Sequence, residues 1–113
     1  MIKVNIYKDN MHCIKRVVVS GHAEYAAHGE DIVCAAVSVL AQAILNGLTD
    51  VLKKDVKFEV SDGYLEFSLE NINNDISINA LLDTFELGIE NLVQDYGRYL
   101  KLKKEEVQQD DKN

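Results

Sequence analysis

Two residues able to do covalent chemistry lie close together in the first third of the chain, Cys34 and, across a glycine-bracketed stretch, His22. The stretch from Gly21 to Ser38 reads GHAEYAAHGEDIVCAAVS. A thiolate beside an imidazole is a nucleophile with its base, the pair that thiol-dependent acyl transfer uses. Asp31 suits the N-cap of the apolar segment that follows, which makes Cys34 the third residue of a helix. In a first turn, unpaired backbone N–H groups and the positive end of the helix dipole stabilise an anion. Cysteines so placed beside a histidine have pKa values lowered to roughly 3.5–7.5. Gly21 and Gly29 allow the intervening loop conformations that other residues resist, so it can carry an imidazole back over the helix start. His28 is the rival base. Ser38, one turn beyond Cys34, offers a hydroxyl on the same helix face.

Each of these residues also has an ordinary reading. A cysteine near an apolar helix start more often packs than reacts, and loop histidines are common. Ser38 falls on a polar stripe, Asp31 needs no role beyond capping, and Gly29 none beyond turning the chain. A redox pair would need Cys13 as the resolving thiol, and Cys13 reads as part of a strand. His12, Cys13, His22, His28 and Cys34 lack the CxxC or HxxxH spacing of a zinc site, so neither a metal nor another cofactor is expected. No Gly-Lys-Ser/Thr follows the glycines, which excludes a phosphate loop.

The elements that would position this stretch are patterned clearly. Ile2, Val4 and Ile6 alternate with Lys3, Asn5 and Tyr7 as a half-buried strand, and Ile14 to Ser20 contains the β-branched run Val17-Val18-Val19. Asp9-Asn10 would turn the chain between them. From about Ile32 to Leu52 the spacing predicts a helix with a narrow polar stripe of Ser38, Gln42, Asn46, Thr49 and Lys53, apolar elsewhere and therefore buried on most sides. Val56, Phe58 and Val60, then Leu65, Phe67 and Leu69, alternate on either side of Asp62-Gly63, a hairpin signal in which both turn residues take positive φ. Asn74 or Asp75 would cap a second helix with the apolar set Ile78, Leu81, Leu82, Phe85, Ile89, Leu92, Val93 and Tyr96. Tyr99 to Lys103 reads as a last short strand. The result is an α+β fold, a small ββαββα layered domain over residues 1–104. Its sheet is antiparallel or mixed, and its buried first helix is packed by the second. Residues 105–113 read as a frayed polar tail.

Composition narrows the function classes. At 113 residues and 47% hydrophobic, the chain can build a core without metal or disulfide support. The formal charge of -7 opposes direct nucleic-acid or anionic-membrane binding and suits a basic partner. No window is read as reaching the ~20 apolar residues of a membrane span, and no signal-peptide pattern opens the chain. A cytoplasmic protein with both cysteines as thiols is the expectation.

Gly21-His22-Ala23, followed by Gly29 and Asp31-Ile32-Val33-Cys34-Ala35-Ala36 with Ser38, resembles the signature of the ribosomal-processing cysteine protease family, Prp. The likeness extends over nearly the whole chain. It implies an endopeptidase that removes a short N-terminal extension from large ribosomal subunit protein twenty-seven. On these positions Cys34 matches the nucleophile and His22 the general base, while Gly21, Gly29, Asp31 and Ser38 match supporting positions. The resemblance also implies a homodimer. Asp31 and Glu24 are candidates for orienting His22, and a bare dyad is the alternative. The rival classes are a non-catalytic ribosome-assembly protein and a thiol redox sensor. The loop from Gly21 to Glu30 is expected to close over substrate.

Overall fold

A computed structural model describes residues 1–21 and 28–107, with only the backbone described at 28–30. In chain order the elements are β1 (Ile2–Lys8), β2 (Ile14–Ser20), α1 (His28–Asn46), β3 (Lys57–Ser61), β4 (Tyr64–Ser68), α2 (Ile76–Tyr96) and β5 (Leu100–Glu106). A single wide π turn, Gly47–Val51, extends α1. The five strands form one mixed sheet in the order β3-β4-β2-β1-β5, antiparallel except where β5 lies parallel to β1.

Pairing puts Val4 beside Val19, Ile6 beside Val17, Val17 beside Phe67 and Val19 beside Leu65, so one face of the sheet is a continuous apolar floor. Both helices bury their stripes on that floor: Val33, Val37, Ala41, Ile44, Leu45 and Leu48 from α1 and its extension, and Ile78, Leu82, Phe85 and Ile89 from α2. The opposite face carries Arg16, whose guanidinium bonds Glu66 at 2.7 Å, with the Tyr64 hydroxyl also on Glu66. The molecule therefore has two layers. The helices touch each other closely where Gly88 faces Leu40: a Cβ there would come within 2.9 Å of the Leu40 side chain. Of the two candidate caps, Asp75 serves α2, its carboxylate accepting from the Ile78 N–H at 2.9 Å. Asn74 instead bridges Lys15, the Ile14 carbonyl and Asn79.

Five details differ from the sequence expectations. First, α1 begins at His28, so Asp31 lies inside the helix rather than at its cap, and Gly29 sits in the first turn rather than in a loop. Second, only one stripe of α1 is buried; Ile32 and Val39 are 46% and 70% exposed. With helices on a single face of the sheet, nothing among the described residues covers the outer side of α1. Third, Asp31–Val51 is long and apolar enough, by length and composition, to cross a bilayer. A core helix passes the same test, and this one lays its buried stripe on the sheet. Fourth, only Gly63 of the β3–β4 turn has positive φ, at 73°, and Asp62 does not. Fifth, β5 continues through Glu106, two residues into the segment read as frayed, because each residue from Ile2 to Lys8 finds a parallel partner on it.

Candidate active site

Cys34 lies on the helix face turned toward the β3–β4 hairpin. It is partly buried and carries a free thiol. It opens on a cavity of about 300 Å³ between α1 and the hairpin, shared with Ser38, Ala41 and Gln42 on the helix side and Val60 to Leu65 on the hairpin side. Val19 and Gly21, at the end of β2, close the third wall. Cys34 and Ser38, four residues apart, present their side chains to the same space.

Gly21 is held by two constraints. Its N–H donates to the Gly63 carbonyl at 3.1 Å, which ties the end of β2 to the hairpin turn. Its φ is +89°, and a Cβ built on it would stand 2.4 Å from the Met1 carbonyl oxygen. The conformational term costs a substituted residue about 1–2 kcal/mol, and a backbone contact that short cannot relax by rotating a side chain. Gly21→Ala is therefore expected to lower the unfolding midpoint and to reduce turnover together. Retention of both, measured by thermal denaturation and a peptide assay, would show that the β2 end is not the fixed wall described.

Among the predicted site residues the structure brings Gly21, Cys34 and Ser38 to one cavity. Asp31 is exposed on α1 and does not line it. Gly29 is placed only as part of the helix backbone. His22 and Glu24, with the rest of the loop expected to close, lie outside the described residues. The electrostatic argument for Cys34 also changes. With His28 as the first helical residue, Cys34 falls in the second turn, where its N–H bonds within the helix. The dipole effect fades beyond the first turn, so the helix start lends little to an anion at this position.

Cys13 is not in a strand. It belongs to the β1–β2 connection, where Asp9 accepts from the Met11 and Cys13 N–H groups at 2.9 and 3.0 Å. That connection is at the Ile14 end of β2, whereas the Cys34 cavity meets β2 at Val19 and Gly21. Some 15–20 Å of strand separates the two sites at ~3.3 Å per residue. A disulfide needs Cα atoms within ~7 Å, so Cys13 cannot resolve an oxidised Cys34 without unfolding. No cluster of three or more His, Cys, Asp or Glu able to hold a metal ion occurs among the described residues.

The sequence reading missed the hairpin side of the cavity: Val60, Asp62, Tyr64 and, on α1, Gln42. The Asp-Gly pair signalled a turn, but its placement against Cys34 depends on β4 pairing with β2, a contact between segments distant in sequence.

A family model described as "Cysteine protease Prp" matches residues 1–101. The chain belongs to this family. It is thus a thiol-dependent peptide hydrolase. A curated relative, the ribosomal processing cysteine protease Prp of Staphylococcus aureus, is 24% identical over 104 residues, covering 90% of this chain and 97% of its own. The crystal structure of SMU.848 from Streptococcus mutans is similar at 30% identity and a TM-score of 0.85, covering 95% and 96% of the two chains. The S. aureus protease with a substrate peptide shares the fold at 23% identity and a TM-score of 0.84, covering 92% and 99%.

Proposed function

We propose that the chain is a cytoplasmic endopeptidase that removes the N-terminal extension of large ribosomal subunit protein twenty-seven, with Cys34 as nucleophile and His22 as general base. The observation that carries this reading is the partly buried, free Cys34 thiol opening on a cavity that Gly21, the residue bonded to His22, also lines. The name of the S. aureus relative, a ribosomal processing protease, supports the substrate class. The net charge of -7 suits a basic ribosomal protein.

In the proposed cycle His22 takes the thiol proton, and the Cys34 thiolate attacks the scissile carbonyl. The C–N bond breaks as His22 returns the proton to the leaving amine. Water, deprotonated by the same imidazole, then splits the thioester and restores the thiol. Ser38 has a hydroxyl on the cavity and can donate to the carbonyl oxygen as charge develops there. The enzyme acts as a homodimer in this proposal; the exposed Ile32 and Val39 on the outer side of α1 are apolar surface that a second copy would cover.

The test is incubation with a synthetic peptide spanning the extension and the first mature residues of the cognate ribosomal protein, read by mass spectrometry. A single cut that frees the mature N-terminus is the expected result. An intact peptide, with a protein that chases as one copy by light scattering, would overturn the substrate and the dimer respectively.

A further inference from the structure

We propose that the free edge of β3 is the substrate-docking strand: the segment flanking the scissile bond adds to the sheet as a sixth strand and feeds the neighbouring residues into the Cys34 cavity. This inference rests on the protease reading above and specifies how the substrate is held.

The sheet has two edges, β5 and β3, and they are built differently. β5 carries Lys101, Lys103 and Lys104, charges of the kind that protect an edge from pairing. β3 instead exposes Phe58 and Val60, 58% and 49% accessible. The register shows why these two matter. Gly21 donates to Gly63, which makes Ser20 and Tyr64 a non-hydrogen-bonded pair in the β2–β4 ladder. Tyr64, Glu66 and Ser68 therefore direct their backbone groups at β3, where they meet Ser61, Glu59 and Lys57. The intervening Val60 and Phe58 turn their N–H and C=O groups away from β4, toward the open edge.

The side chains agree with the backbone. Phe58 pairs with Phe67 and Val60 with Leu65, so both lie on the helix-bearing side of the sheet, beyond the reach of the helices. They form an apolar shelf continuous with the active site, because Val60 and Ser61 line the same cavity as Cys34. An extended peptide on this edge would find backbone partners at Phe58 and Val60 and apolar surface under every second side chain. This is strand addition, in which main-chain bonds hold the ligand and alternate side chains are read. The substrate class it fits is an extended segment with apolar residues at alternate positions.

The test is an N-methyl scan of the cleavage-site peptide, with binding measured to the Cys34→Ala protein. Each methyl that removes an N–H aimed at β3 should weaken binding about tenfold, and the positions between should be tolerated, a period of two. In the active enzyme, Phe58→Pro removes only an outward N–H, at a position that does not line the Cys34 cavity. It should lower kcat/KM for the peptide about tenfold while leaving the rate of Cys34 alkylation by iodoacetamide unchanged. Binding and turnover without the period of two, or a Phe58→Pro enzyme of normal kcat/KM, would overturn strand addition and leave the protease reading standing. A Phe58→Pro change that dissociates a dimer and spares turnover would assign the edge to a second copy, overturning it likewise. No binding by any peptide, with an inert Cys34, would overturn both.

Discussion

Replacing Cys34 with alanine is expected to take peptide cleavage to background and to leave the unfolding midpoint nearly unchanged, whereas Cys13→Ser is expected to retain most activity. The asymmetry follows from where the two thiols sit. Cys34 is partly buried on the wall of a cavity that Ser38 and the β3–β4 hairpin also line, so the change deletes one sulfur at the edge of the core. The fold rests on other groups: the α1 stripe from Val33 to Leu48 and the floor formed by Val4, Ile6, Val17, Val19 and Phe67. A stability cost within about 1 kcal/mol is therefore expected, in the range of changes that leave a core intact. Cys13 does not line that cavity and serves in the turn that Asp9 organises through backbone N–H groups, which serine preserves. Activity is read by the peptide assay and folding by thermal denaturation. Loss of turnover on the Cys13 change, with turnover retained on the Cys34 change, would show that the nucleophile is misassigned.

The parts of this picture legible in the sequence are those written in local periodicity. Alternation at Ile2, Val4 and Ile6 and the spacing from Ile78 to Ile89 name a strand and a helix because each repeats a single face over several residues. The motif around Cys34 is also local, and its resemblance to the Prp signature does not depend on strand pairing. What stayed hidden is set by long-range contacts. That both helices share one face of the sheet depends on the strand order β3-β4-β2-β1-β5, and this leaves Val39 and Phe58 outside although their spacing reads as core. The start of α1 was misplaced for a different reason. Asp31 is a good capping residue, and the sequence from His28 to Glu30 gives no periodic signal of its own, so a strong local cap puts the expected first helical residue, Ile32, four residues after the observed one, His28. The hairpin wall of the active site was missed because the bond from Gly21 to Gly63 joins positions 42 residues apart, taking 63 less 21.

His22→Ala is expected to cost ~10²–10⁴-fold in turnover, the typical contribution of a general base, with the loss of thiolate formation adding to it. His28→Ala should leave turnover little changed. Two observations separate these histidines. Gly21 lines the Cys34 cavity and is fixed there by the Gly63 carbonyl and by its own backbone conformation, and His22 is its neighbour in sequence. Position 28 instead opens α1, six residues before Cys34. Six residues on a 3.6-residue helix place the two backbone positions about 120° apart around the axis. The later start of α1 strengthens the demand on His22. Cys34 in the second turn draws less from the helix dipole than a first-turn thiol would, and a base must supply the remainder. The rate of Cys34 alkylation by iodoacetamide gives a readout that a merely structural histidine would not move. Removing His22 should slow alkylation at neutral pH, while removing His28 should not. Equal losses of turnover from both variants, or an alkylation rate indifferent to His22, would undo its assignment as the base.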